Sequence, residues 1–127
     1  MVHAFTQKLQ ATMIYVAGKY TGLEHRHAVA KFNATRSALV AAGVPKERII
    51  VPTDLVPAGT DWETAMYEYC IPALLKCKAI FMQRDHQESR GALEELKTAK
   101  KFRLDIFHEE DFGLARIACL RDFMFSD

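Results

Sequence analysis

Short apolar runs along this chain alternate with stretches of helical periodicity. The runs are rich in β-branched and aromatic residues and contain no regular polar positions, which is typical of strands buried on both faces of a parallel sheet. They predict four strands, over residues 12–17, 48–51, 78–82 and 103–107. Each run is of strand length and too short to be a helix on its own.

Residues with helical spacing separate the first three runs. Apolar residues three and four positions apart predict a first helix over 25–42, and Gly43 is its expected C-terminal cap. Asp61 is predicted to cap a second helix. Pro72 lies inside that helix and lacks the N–H that an interior position needs, so we expect a kink, or a break and restart, at 70–71.

Two further helices complete the alternation. Ser89 is predicted to cap the third helix, and a closing helix is predicted over 111–123. This order predicts one α/β domain, 1–127, in which helices cover both faces of a sheet and form three layers. The sheet is expected to be doubly wound and mostly parallel, with four or five strands, as in Rossmann-like or flavodoxin-like folds. Residues 12–108 would form its core, and 109–127 a C-terminal helix available for an oligomer contact.

Composition narrows the expected partners and compartment. Half of the 127 residues are hydrophobic and the net charge is +1, so no overall field attracts nucleic acid or an anionic membrane. No apolar run approaches the roughly 20 residues of a membrane span, and the N-terminus lacks the regions of a signal peptide. Three cysteines without a Cys-x-x-Cys pair argue against a disulfide framework. We therefore expect a cytoplasmic protein that binds neither nucleic acid nor membranes.

The expected site lies where loops follow the strands, because ligands of doubly wound sheets bind beyond the carboxyl ends of the strands. Three loops are predicted to meet there, namely 18–25, 52–61 and 83–91. The third leads into the helix capped by Ser89, whose first N–H groups lack partners and favour an anion. Gly18 and Gly91 have no side chain, so a ligand can approach the backbone closely at either position.

Six short motifs occur in a fixed order and together resemble a known family. They are Ile14-Tyr15-Val16-Ala17-Gly18, Thr21-Gly22, Phe32-Asn33, Trp62, Leu74-Leu75-x-Cys77 and Ser89-x-Gly91-Ala92-x-x-Glu95-x-x-x-Ala99. The set is similar to the short phage and bacterial domains related to nucleoside 2-deoxyribosyltransferases and nucleotide N-glycosidases. The similarity spans roughly residues 12–108, and its last motif is the most specific.

The resemblance implies cleavage or exchange of the N-glycosidic bond of a 2′-deoxyribonucleoside or its 5′-monophosphate. In that chemistry a helix glutamate attacks C1′ and forms a covalent sugar ester, by the retaining logic of glycosidases. The matching residue is Glu95, and Ser89 matches the serine that holds a 5′-phosphate, which favours a nucleoside monophosphate. No metal and no organic cofactor is required. Sites of the family often borrow residues from a neighbouring subunit, so a homo-oligomer, a dimer or larger, is expected.

Helical geometry separately favours Glu95 over its neighbour Glu94. On a helical wheel Glu95 lies at the edge of the face formed by Ala92, Leu96 and Ala99, whereas Glu94 points away. A nucleophile has to reach the wall of a cleft, so Glu95 is the better placed. The alternative is that both glutamates are ordinary acids near the helix start that complement the helix dipole.

The other candidate residues are less specific. The resemblance places Tyr20 in the sugar pocket, and Arg90 either assists a phosphate by its charge or faces solvent. Cys70 occupies the position at which the family carries an aspartate acid, and a thiol with a reference pKa of about 8.5 is a poor substitute for a carboxylic acid. Neither Glu68 nor Asp85 matches the pattern. Three functions therefore stay open: an N-glycosidase or deoxyribosyltransferase-like enzyme, a catalytically impaired nucleotide-binding module of the same fold, or an assembly protein that uses its Phe-rich C-terminus.

Overall fold

A computed structural model of the protein describes residues 13–111. Within them, four strands form one sheet in the order β2-β1-β3-β4, and every neighbouring pair is parallel. The strands are β1 (Ile14–Ala17), β2 (Ile49–Ile50), β3 (Ala79–Met82) and β4 (Asp105–His108). The predicted α/β class with a four-stranded parallel sheet is confirmed.

Helices connect the strands in the expected alternation. They are α1 (His25–Ala41), α2 (Pro52–Leu55), α3 (Trp62–Thr64), a π-helix (Ala65–Cys70), α4 (Ile71–Leu74) and α5 (Arg90–Lys101). Short 3-10 turns occur at Lys46–Arg48, His86–Glu88 and Glu109–Asp111. No helix of the described chain combines the length and the apolar character that a membrane crossing requires.

Alternating residues of β1 divide the core between the two faces of the sheet. Ile14 and Val16 pack on one face with Phe32 and Leu39 of α1. Tyr15 points to the opposite face, where the π-helix, α4 and α5 supply the buried side chains. Because side chains of a strand point alternately to its two faces, a strand covered on both sides has to be apolar throughout. The fold is therefore three-layered, as predicted.

The segment around Pro72 continues as a helix but changes its winding. Asp61 caps the start as predicted, since its Oδ2 accepts a hydrogen bond from the Thr64 backbone N–H at 3.1 Å. The N–H of Ile71 then donates to the carbonyl of Met66, five residues back, which is the bond of a π-helix. Within this segment Met66 and Cys70 are buried, whereas Tyr69 is 36% exposed.

Two other predictions differ from the structure or lie outside it. The predicted loop 52–61 contains the short helix α2, because the fixed φ of Pro52 suits the first helical position. The predicted strand 103–107 begins two residues later, since Arg103 adopts a φ of 59° in the turn after α5. Of the predicted C-terminal helix 109–127, Glu109–Asp111 forms a 3-10 turn and the rest lies outside the described residues.

Candidate active site

One cavity of about 200 Å³ lies beyond the carboxyl ends of β1 and β3 and is partly open to solvent. All three predicted loops contribute to its lining: 18–25 through residues such as Tyr20, 52–61 through Val56, and 83–91 through Ser89. Their meeting at this edge of the sheet is confirmed. Helices complete the wall, and one of the residues they add is Glu95.

Glu95 is held inside the wall of the cavity by a hydrogen bond to the sheet. Its side chain is 3% exposed, and its Oε2 accepts a hydrogen bond from the hydroxyl of Tyr15 in β1. Glu94, one residue earlier, is more exposed and does not line the cavity. The helical wheel placed Glu95 at the edge of the buried face, but that face runs through Gly91, Ala92, Glu95 and Ala99, so Glu95 belongs to it fully.

The surroundings of Glu95 oppose its ionisation. Burial raises the pKa of Glu95 to about 8, although the hydrogen bond from Tyr15 favours the charged form. The pKa of Tyr15 is likewise raised well above its usual value by burial and by the negative charge of Glu95. The Glu95 carboxyl group and the Tyr15 hydroxyl group thus form a buried pair, and both groups are mainly protonated at neutral pH in the free protein.

Cys70 completes a buried cluster with this pair. Burial and the nearby Glu95 carboxylate raise the pKa of Cys70 to about 12, and its side-chain hydrogen bond with Tyr15 offsets this only in part. The π-helix ends at Cys70, and the widened turn leaves both Met66 and Cys70 buried. A thiol with such a high pKa is a weak proton donor and is not a reactive thiolate at neutral pH.

Ser89 and Gly91 lie at the start of α5, in the lining of the cavity. The Oγ of Ser89 accepts a hydrogen bond from the backbone N–H of Ala92 at 3.0 Å, which confirms the predicted cap. The hydroxyl proton of Ser89 takes no part in this cap. A Cβ atom at Gly91 would lie 2.7 Å from the Cε of Met66, so this glycine lets the π-helix pack closely on α5.

Gly18 also lines the cavity, and its lack of a side chain leaves room for Gln83. A Cβ atom there would lie 2.0 Å from the Oε1 of Gln83. Gln83 is buried and fixed by Thr35, whose Oγ1 accepts from its Nε2 at 2.8 Å, and by Lys31, whose Nζ donates to its Oε1 at 2.7 Å. The sequence analysis assigned Gly18 to ligand approach and missed this packing role.

The two remaining predicted residues lie at the periphery. Tyr20 lines the cavity and packs on Phe32 with ring centroids 6.3 Å apart. Arg90 is exposed and does not line the cavity, but its guanidinium lies 3.8 Å from the ring centroid of Trp62, which does. The structure therefore brings together Gly18, Tyr20, Cys70, Ser89, Gly91 and Glu95, and it leaves Arg90 at the rim.

Among the described residues that line the cavity, Glu95 carries the only carboxyl group. Glu68 is exposed on the π-helix and does not reach the lining. Asp85 accepts hydrogen bonds from the Lys19 N–H at 3.0 Å and the Lys31 Nζ at 2.8 Å, also outside the lining. Neither acid replaces the aspartate that the resemblance leads one to expect at Cys70.

Sequence reasoning missed Tyr15, the direct partner of Glu95. It was counted as one position of an apolar strand, although a buried tyrosine hydroxyl normally finds a hydrogen-bond partner. A tyrosine in a strand that is otherwise aliphatic was therefore a usable signal for a polar group on the facing helix.

Comparison with known proteins gives a family without an assigned activity. Residues 12–108 match the family described as "Domain of unknown function (DUF4406)". No curated protein and no solved structure matches the chain.

Proposed function

The chain belongs to the DUF4406 family, and we propose that it cleaves the N-glycosidic bond of a 2′-deoxyribonucleoside 5′-monophosphate. The observation that carries the proposal is a buried carboxyl group in the wall of a cavity, that of Glu95, aligned by the hydroxyl of Tyr15. The sequence resemblance to nucleoside 2-deoxyribosyltransferases and nucleotide N-glycosidases supports the same assignment of Glu95.

In the proposed reaction, Glu95 first gives its proton to water, and the ionised carboxylate then attacks C1′ of the deoxyribose. The bond from C1′ to the base nitrogen breaks, and its electron pair leaves with the base, which takes a proton from water. A water molecule, or a second base in a transfer reaction, then displaces Glu95 from C1′ and restores the carboxylate. Two displacements of this kind retain the configuration at C1′.

Burial suits Glu95 to this step. The transition state of glycosidic cleavage carries positive charge on the sugar. A carboxylate that is poorly solvated in the free protein interacts strongly with such a charge, because the cavity wall has little water to screen it. The raised pKa shows that the free protein itself does little to stabilise the charged form, so a positively charged sugar would add most of that stabilisation in the proposed reaction.

The start of α5 is the proposed phosphate site. The Ser89 hydroxyl can donate a hydrogen bond to a phosphate oxygen while its oxygen continues to cap Ala92. The free N–H groups and the dipole of α5 favour an anion at this end. No lysine or arginine lines the cavity among the described residues, and Arg90, stacked on Trp62 at the rim, is the positive charge proposed to assist there.

A second function, nucleotide binding without turnover, is favoured by Cys70. With a pKa of about 12, the Cys70 thiol is a poor acid for protonating the departing base. Glu95 cannot take that role because it is the group that bonds to C1′. This alternative predicts that a nucleoside monophosphate raises the melting temperature while no free base forms. Multiple turnovers on any nucleotide would exclude it.

The deciding experiment incubates the protein with each of the four deoxynucleoside monophosphates and measures free base by chromatography. We expect base release by the wild type, and its loss in Glu95→Gln with Glu94→Gln as the matched control. Intact-mass spectrometry of quenched reactions should show a deoxyribosyl phosphate adduct in the wild type and none in Glu95→Gln. Base release that survives in Glu95→Gln would refute the assigned nucleophile, and addition of a second base separates transfer from hydrolysis.

Homo-oligomer formation is a separate proposal. It is supported by three exposed hydrophobic side chains on the helical segment between α3 and β3: Tyr67 (56% exposed), Tyr69 (36%) and Leu75 (45%). Light scattering of the full chain tests it directly. A monomeric mass at micromolar concentration would contradict it, and Tyr67→Ser with Leu75→Ser should lower the mass if these residues form the contact.

A further inference from the structure

The ends of β3 and β4 bring three metal-binding side chains together outside the cavity. His86 follows β3, His108 is the last residue of β4, and Glu110 lies in the next turn. One ligand atom from each lies within 4.8 Å of the other two. None of the three lines the cavity that contains Glu95, so this cluster is distinct from the candidate active site.

His86 is oriented as metal-binding histidines commonly are. Its side chain is 4% exposed, and its Nδ1 lies 2.7 Å from the backbone carbonyl oxygen of Gln83. Since a carbonyl oxygen only accepts, Nδ1 must carry the proton, and Nε2 is left with a free lone pair. A histidine that ligates a metal typically donates its other ring N–H to a carbonyl in this way, which fixes the tautomer and the ring orientation.

His108 supplies a second ring nitrogen, which is buried and lacks a hydrogen-bond partner among the described residues. Its Nδ1 is inaccessible to solvent and has no hydrogen-bond partner within the described part of the chain. The Oε1 of Glu110 lies 3.6 Å from this nitrogen, which is beyond a hydrogen bond. The His86 and His108 rings lie 5.2 Å apart between centroids, so both present nitrogens to one small volume. A buried nitrogen without a partner is costly, and a bound cation would remove that cost.

We propose that His86, His108 and Glu110 bind one divalent transition-metal ion, with Zn²⁺ as the best-matched metal. Two imidazoles and one carboxylate are a ligand set that Zn²⁺ accepts, and a water molecule takes the fourth tetrahedral position. Oxygen-preferring ions such as Mg²⁺ and Ca²⁺ are disfavoured by the two nitrogens. Ligand atoms of tetrahedral Zn²⁺ lie about 3.4 Å apart, so the side chains need only small rotations from their present separations.

The ion would add a second link between two segments that are joined outside the sheet by the ion pair of Arg84 Nε with Glu109 Oε2 at 3.1 Å. His86 belongs to the loop that leads from β3 into α5. His108 is the last residue of β4, where it pairs with Met82 of β3. Binding therefore stabilises the loop that positions Ser89 without placing the metal on the substrate. This role is structural and does not depend on the proposed glycosidase activity.

The test is metal binding by the full chain without an affinity tag. Calorimetry with Zn²⁺ and absorbance with Co²⁺ should show one ion per chain, with the intense visible bands of tetrahedral cobalt, and Zn²⁺ should raise the melting temperature. His108→Ala and Glu110→Gln are the test variants because both side chains are partly exposed and their loss should leave the fold intact. Each should raise the dissociation constant about tenfold or more and weaken the cobalt bands.

His25→Ala is the control, since His25 is exposed at the start of α1, remote in sequence from the cluster. It should bind the metal as the wild type does. The proposal is overturned if neither ion binds at about 100 µM, a level far weaker than structural zinc sites. It is equally overturned if binding persists unchanged in both His108→Ala and Glu110→Gln.

Discussion

Replacing Glu95 by glutamine removes a buried ionisable group and keeps its shape. In the wild type the carboxyl group is 3% exposed and bonded to Tyr15, and its pKa is raised to about 8 by burial. Glutamine can accept the same hydrogen bond from Tyr15 but does not titrate. The pH dependence of stability should therefore differ between the two proteins in a way that reports on this one group.

The sign and size follow from the pKa of Glu95 in the two states. An ordinary glutamate has a pKa of 4.5, against about 8 in the folded chain, so the folded state holds the proton more tightly. Below about pH 4.5 both states are protonated and the wild type has its full stability. Between the two values the free energy of unfolding should fall by about 1.4 kcal/mol per pH unit. The total loss by about pH 8 is on the order of 5 kcal/mol.

Urea unfolding at pH 5, 6, 7, 8 and 9 measures this dependence, with Glu94→Gln as the matched control on the same helix. The stability of the wild type should decline relative to Glu95→Gln from pH 5 to 8 and then level off, and Glu94→Gln should follow the wild type. A difference between wild type and Glu95→Gln that is constant with pH, or that grows in favour of the wild type, would refute the account of Glu95 as a poorly solvated acid.

Three further predictions concern the neighbours of Glu95. Tyr15→Phe removes a hydrogen bond that favours the ionised carboxylate, so the rise of kcat/KM for base release should move to higher pH; an unmoved profile would contradict this. Cys70→Asp supplies a carboxyl group beside the departing base and should increase the rate of base release at neutral pH, whereas an unchanged or slower rate would show that acid assistance is not limiting. Gly18→Ala should lower the free energy of unfolding by about 1–3 kcal/mol, because the added Cβ would collide with Gln83. Measured by urea unfolding, this loss should be smaller in a Gln83→Ala background, and equal losses in the two backgrounds would argue against the contact.

Local patterns predicted the features that depend on neighbours in sequence. The buried face of α1, Ala28, Phe32, Thr35 and Leu39, follows from three- and four-residue spacing because a regular helix repeats its faces at that interval. The caps at Asp61 and Ser89 follow from one side chain and the N–H groups one turn later. Glu95 was distinguished from Glu94 by the same periodicity, and its burial agrees with that choice.

Contacts between distant segments were not predictable from these patterns. Tyr15 and Glu95 are 80 residues apart, and only the packing of α5 on β1 makes them partners. The glycines were interpreted as openings for a ligand, yet the atoms nearest to them belong to Gln83 and Met66 on other elements. His86 and His108 meet only because β3 and β4 pair in one register. Periodicity gives the direction of a side chain, but it does not identify the residue that it meets.

The π-helix gives chain length an influence on the candidate active site. An α-helix turns by about 100° per residue, and a π-helix accommodates one more residue per hydrogen-bonded turn. Deleting one residue between 65 and 69 would let this segment return to a regular α-helix, because the π-helix already holds one residue more per hydrogen-bonded turn. An insertion or deletion of a single codon here is thus a second route, besides substitution, by which related chains can change the side chains that this segment contributes to the cavity.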